Sequence, residues 1–148
     1  MEKIEFKTSI DAPREKVWNV LWNDSDYRKW TSFFAEGSRA ETDWKKGSKA
    51  LFLDKSNSGL ISTIVDNKPN ELMAIKHVGI VNKGVEDLSS ADAKQWAGSL
   101  ENYMLRTVNG KTELTINMEG NIPPEFVDYF RQTWPKALEK LKEIAEKN

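Results

Sequence analysis

Residues 123–146, PPEFVDYFRQTWPKALEKLKEIAE, open on Pro123-Pro124-Glu125, a helix start in which proline costs no hydrogen bond. Behind it, Phe126, Phe130, Trp134, Ala137, Leu138, Leu141 and Ile144 recur at three- and four-residue steps with Lys and Glu between them. That period describes a helix of about five to six turns with one apolar face. Pro135 lies inside it, where a missing N–H is expected to bend the axis. A helix this long and one-sided needs an apolar partner surface, and the preceding sequence has to supply it.

Outward from the helix, the chain is written in strands. Thr112 to Met118 and Leu100 to Val108 flank Asn109-Gly110, the strongest short hairpin signal. Upstream, Ala40 to Trp44, Lys49 to Asp54, Leu60 to Val65 and Leu72 to Gly79 are separated by Lys46-Gly47, Asn57-Ser58-Gly59 and Lys68-Pro69-Asn70. Asn82 to Ala97 fits neither period and reads as a long loop or a frayed edge. At the start, Ile4, Phe6, Thr8 and Ile10 alternate with polar residues as a half-buried strand does. Asp11-Ala12-Pro13 ends that strand, and Val17, Trp18, Val20 and Leu21 stripe a first short helix. Asn23 and Asp24 offer a cap for a second, carrying Tyr27 and Trp30. The expected fold is α+β: a curved antiparallel sheet of about six to seven strands wrapped around the long C-terminal helix, with two short helices after strand one. Residues 1–148 read as one domain, without repeats or a linker.

Composition narrows the function classes. With 22 basic and 23 acidic residues, no long-range field draws the chain to nucleic acid or an anionic lipid surface. There is no cysteine, hence no disulfide and no thiolate chemistry. No run approaches the roughly 20 apolar residues of a membrane span, and Met1 to Ser9 lacks the apolar core of a signal peptide. A cytoplasmic location without membrane insertion is the expectation.

Particular motifs carry a resemblance. Ile10-Asp11-Ala12-Pro13-Arg14-Glu15-Lys16-Val17-Trp18 after strand one resembles the opening signature of the START-like (SRPBCC) superfamily, whose fold is the helix-grip. Thr42-Asp43-Trp44-Lys45-Lys46-Gly47-Ser48, Pro69-Asn70-Glu71-Leu72, Glu101-Asn102-Tyr103, Gly110-Lys111-Thr112-Glu113-Leu114 and Trp134-Pro135-Lys136-Ala137-Leu138 are similar to its branch of activator of heat-shock-protein-90 ATPase homologue-like proteins. The resemblance spans essentially the whole chain. It implies a cavity between sheet and helix, since members of the superfamily bind lipids, hormones and polyketides, and a few cyclise or dehydrate them.

The expected activity is therefore the holding of a small hydrophobic or amphipathic molecule. Two other readings stay open: an acid–base enzyme on a hydrophobic substrate, and an interaction module with a protein partner such as a chaperone. Candidate ligand contacts are Trp30, Phe34, Trp44, Phe52, His77, Trp96, Tyr103, Phe130 and Trp134. Large aromatic rings with one polar tip suit a partly wet cavity, and equally fill a small core. Trp44 and Trp96 adjoin loop-like segments, which suits a cavity mouth. His77, the single histidine, shares a strand face with Met73 and Ile75, and reads as a ligand-orienting group, a general base, or a core histidine. Glu101 and Tyr103 share one strand face and, with His77, are the acid–base candidates, or else make a structural hydrogen bond; Leu105 on that face is matched by Leu100 and Met104 on the other, so the inward side stays undecided. No Gly-x-Ser-x-Gly, glycine-rich phosphate loop or His-Glu-x-x-His occurs. No catalytic residues, metal or cofactor are assigned.

Overall fold

The computed structural model describes residues 2–147 of the protein. Strand β1 (Glu2–Ile10) leads into helices α1 (Arg14–Trp22) and α2 (Asp24–Trp30), then one 3-10 turn, Thr31–Phe33. The sheet continues with β2 (Arg39–Glu41), β3 (Lys49–Leu53), β4 (Gly59–Lys68) and β5 (Leu72–Asn82). Next come β6 (Val85–Asp87), helix α3 (Ala91–Trp96), β7 (Leu100–Val108), β8 (Lys111–Gly120) and helix α4 (Pro124–Glu146). The strands pair antiparallel in the order β1-β8-β7-β5-β4-β3-β2, with β6 added to the far end of β5.

Local chemistry accounts for these elements. Asn23 caps α2 by accepting the Asp26 N–H at 2.9 Å, and Asp24 pairs with Arg28 one turn on. Asn109 and Gly110 both take positive φ, 54° and 79°, as a two-residue hairpin turn requires. Thr112 of β8 donates to the Ala12 carbonyl at 2.7 Å, tying the first turn after β1 to the sheet. The segment expected to be a loop, Asn82 to Ala97, instead holds β6 and α3. A three-residue strand and a six-residue helix are too short to show a period, and Ser90 caps α3 through the Ala93 N–H. On α1 the inward aromatic is Trp22, 8% exposed, while Trp18 is only half-buried.

The buried stripe of α4, Trp134, Ala137, Leu138, Leu141 and Ala145, joins one core with Ile4, Ile10, Met73, Ile75, Leu105, Leu114 and Ile116 from the sheet. A second, smaller cluster of Leu53, Ile61 and Val81, with Leu51 and Val78, lies on the other sheet face, since Leu51 and Leu53 alternate with the inward Ala50 and Phe52. The register of β4 on β5 shifts twice. Val65 is skipped between Ile64↔Ile75 and Asp66↔Ala74, and Val78 between Ser62↔His77 and Ile61↔Gly79. At the second bulge a side chain on Gly79 would meet the Asp87 carbonyl oxygen at 2.5 Å, so glycine there lets the β6 connection lie flat on the sheet. Among the described residues, no helix is long and apolar enough to cross a membrane.

The stripe of α4 is the largest single contribution to this core. Leu141→Ala, at a fully buried position, is expected to lower unfolding free energy by about 2–5 kcal/mol, against about 0.5 or less for exposed Lys136→Ala. Urea denaturation measures both, and equal midpoints for the two variants would contradict the packing described.

Candidate ligand cavity

The first two turns of α4 carry Phe126, Phe130 and Tyr129, and these rings are not sealed in the core. Phe126 is 36% exposed and the other two are half-buried. They face a cavity of about 500 Å³, within the range of small-molecule sites. Helix α2 supplies Tyr27 and Trp30 to its wall, the segment after the 3-10 turn supplies Phe34, and β3 supplies Phe52. His77 comes from β5, Trp96 from α3, Glu101 and Tyr103 from β7, and Trp134 from α4. Exposed Asn82, Asp92 and Phe126 mark the opening, and buried His77 and Tyr103 mark the floor.

The rings hold one another edge-on. Phe34 meets Trp134 at 4.8 Å and 70°, Trp96 meets Phe126 at 5.0 Å and 64°, and Tyr103 meets Trp134 at 6.0 Å and 60°. Each such pair contributes about 0.5–1.5 kcal/mol beyond its buried area. Eight of the nine residues expected from sequence thus border one space. Trp44 does not. Its backbone takes the left-handed conformation (φ 63°), and its carbonyl accepts the Asn67 amide at 2.8 Å. That turns its ring onto Trp22, 4.6 Å away, so it packs in the layer behind Tyr27 and Phe52 and not at the mouth.

The floor is polar and connected. β7 turns Glu101, Tyr103 and Leu105 inward and leaves Met104 37% exposed, which settles the face that the sequence left undecided. His77 Nε2 lies 3.2 Å from one Glu101 oxygen, and the Tyr103 hydroxyl donates to the other. On its far side His77 Nδ1 is 2.6 Å from the Ser62 hydroxyl. A carboxylate only accepts, so in the neutral imidazole Nε2–H donates to Glu101 and the Ser62 hydroxyl donates to Nδ1. Hydroxyl, imidazole and carboxylate in a row look like a hydrolytic triad, but the exposure runs the other way. Ser62 is 1% exposed and outside the cavity wall, while Glu101 is within it. The array therefore presents a carboxylate to the cavity and keeps the hydroxyl behind.

From sequence, Glu101 is an acid–base candidate with His77 and Tyr103 but is not among the expected wall residues, and Ser62 and the cavity role of Tyr27 go unnoticed. An unbroken hairpin from Lys68↔Leu72 would set Ser62 against Val78. Only the bulge at Val65 brings it opposite His77. Tyr27 was legible as the residue one turn before Trp30 on the same helix face. Among the described residues, no three His, Cys, Asp or Glu side chains converge as a metal site would need.

Burial, then the negative charge of Glu101, pushes the Tyr27 and Tyr103 phenols above their ordinary value, and Tyr103 is also held by its hydrogen bond to that carboxylate. Burial raises Tyr129 as well. A tyrosine whose folded pKa is raised stabilises the fold fully below about pH 10, where the unfolded phenol keeps its proton. That stability is lost as pH rises above about 10, at about 1.4 kcal/mol per pH unit for each buried phenol. Absorbance near 295 nm is expected to show Tyr129 ionising alone, with Tyr27 and Tyr103 ionising only as the protein unfolds. Three phenols titrating together near pH 10 in folded protein would contradict this floor.

Comparison with known proteins places the architecture. The profile described as "Activator of Hsp90 ATPase homolog 1-like protein" matches residues 11–146. No curated protein matches the sequence. Among solved structures, protein MLL2253 from Mesorhizobium loti is similar at a TM-score of 0.75 and 16% identity, over 96% of this chain and 95% of that one. The Aha1 dimer from Colwellia psychrerythraea is similar at 0.67 and 18%, over 99% and 97%. DynU16, from the dynemicin biosynthetic locus, is similar at 0.73 and 13%, with 99% of this chain matching 48% of that one. At these identities the structures speak for the fold, and the family follows from the profile, which spans nearly the whole sequence: the chain belongs to the activator of Hsp90 ATPase homolog 1-like family, on a helix-grip fold.

Proposed function

We propose that this protein holds a small apolar or amphipathic molecule between the sheet and the first turns of α4. The observation that carries the reading is the unfilled space itself. Six tryptophans in 148 residues offer ample volume to close a core, yet Trp30, Trp96 and Trp134 stand around about 500 Å³ of cavity. Protein interiors pack to near-crystal density, so a gap of this size walled by large rings is a feature of the fold and not slack. The likeness to DynU16, a protein of a biosynthetic locus, supports the same reading.

A ligand that binds only the folded state raises stability by about 2.7 kcal/mol at a hundredfold excess over Kd. For a chain of this size that corresponds to a rise in melting temperature of about 5–10 °C. A panel of neutral aromatic and aliphatic compounds, read by thermal melting, is expected to contain members that produce it. If a broad panel moves the melting temperature by nothing, and native mass spectrometry of gently purified protein shows no added mass, the reading fails.

One observation favours a second reading, acid–base catalysis on the bound molecule. His77, Glu101 and Tyr103 meet within hydrogen-bond reach on the cavity floor. Glu101 would take a proton from a substrate carbon or hydroxyl and return it elsewhere on the same molecule, with Tyr103 and His77 holding the carboxylate in place. Deuterium uptake from heavy water into an enolisable aromatic ketone, followed by NMR, is the expected signature, and it should vanish in Glu101→Gln. Uptake unchanged in that variant would remove Glu101 from the chemistry.

A further inference from the structure

We propose that the molecule this cavity selects is a cation: an apolar, preferably aromatic, body bearing a protonated amine that pairs with Glu101. The inference rests on the ligand-holding reading and names the chemistry of its guest.

Three features of the wall converge on it. The first is charge. Among the described residues, the ionisable acids bordering the cavity are Asp54, Asp92 and Glu101, and no lysine or arginine borders it. The Arg39 guanidinium, which is not part of the wall, binds the Asp54 carbonyl at 2.9 Å and lowers the Asp54 carboxyl only as the least of several causes, after the Ser56 hydrogen bond. A carboxylate or phosphate guest would enter a negative space with no cation to meet it, a selection against anions built from repulsion.

The second is the direction of the hydrogen bonds. At the floor the donors are already committed, His77 Nε2 to one Glu101 oxygen and the Tyr103 hydroxyl to the other. Each carboxylate oxygen has room for a second donor. Glu101 keeps 17% of its side chain exposed, against 3% for His77, so what the floor offers an arriving molecule is an acceptor bearing negative charge. An N–H donor with its own positive charge makes the stronger hydrogen bond there, roughly twice a neutral one. The third is the wall. Its faces are indole and phenyl rings, whose negative π-surfaces attract a cation at about 6 Å or less. A neutral apolar guest would be held by the rings alone; an amine gains the floor as well.

The test uses three compounds with one naphthalene body: 2-naphthylmethylamine, 2-naphthylmethanol and 2-naphthoic acid. Their dissociation constants for the full chain are measured by calorimetry at neutral pH. The amine is expected to bind at least about tenfold tighter than the alcohol, and the acid weaker than both. In Glu101→Gln the amine should fall to within about threefold of the alcohol measured in the same variant. The ranking in unaltered protein needs no variant, so a poorly folding substitution does not shelter the proposal. Acid binding as tightly as amine, or alcohol equal to amine, overturns the cation preference while leaving ligand holding intact. Binding by none of the three overturns the aromatic-cation preference, while ligand holding falls only if the broader panel and native mass spectrometry also come up empty.

Discussion

Helix α4 presents 23 residues with an apolar stripe along one side, and that stripe has to leave water. A flat sheet would touch it along a single line; a sheet that curves around it covers the stripe from several strands at once. The C-terminal half of the stripe is satisfied, since Trp134, Ala137, Leu138, Leu141 and Ala145 are buried among residues of β1, β7 and β8. Its N-terminal half is not. There α2, α3 and the segment after the 3-10 turn prop the sheet and helix apart with rings too broad and too rigid to collapse into the gap. The same contact therefore generates both a core and a chamber, and the boundary between them is Trp134, which touches Phe6 on one side and Phe34 on the other.

The polar floor would be costly without its partners. A carboxylate drawn from water into an apolar chamber loses several kcal/mol of hydration unless donors replace it. Tyr103 two residues along its own strand and His77 on the neighbouring strand supply those donors, and Ser62 fixes the imidazole from behind. The array spans β4, β5 and β7, three adjacent strands, so its geometry is set by sheet register and does not depend on any mobile loop.

What the sequence made legible follows from periodicity. The long helix, the Asn109-Gly110 hairpin and the shared strand face of Met73, Ile75 and His77 all announce themselves through spacing, and eight of the nine candidate wall residues border the cavity. Short elements do not announce themselves, which is why Asn82 to Ala97, home of β6 and α3, reads as a long loop or a frayed edge. Trp44 misled because adjacency to a turn says nothing about where a ring is sent once the backbone adopts positive φ. The Ser62–His77 contact was invisible for a different cause. It depends on a register shift, and a bulge leaves no mark in a hydrophobic pattern.

The two bulges also govern which changes of chain length the hairpin can absorb. Between Val65 and Val78 the β4–β5 pair runs one residue out of step, and each bulge cancels the other. Loss of either bulge residue leaves the existing pairs opposite one another: without Val65, Ile64↔Ile75 would follow Asp66↔Ala74 directly, and without Val78, Ile61↔Gly79 would follow Ser62↔His77. Removing both at once would restore a regular ladder. Each bulge is thus a place where this hairpin can give up one residue with the floor pairs still in register, whereas the fully paired stretch between them has no such slack.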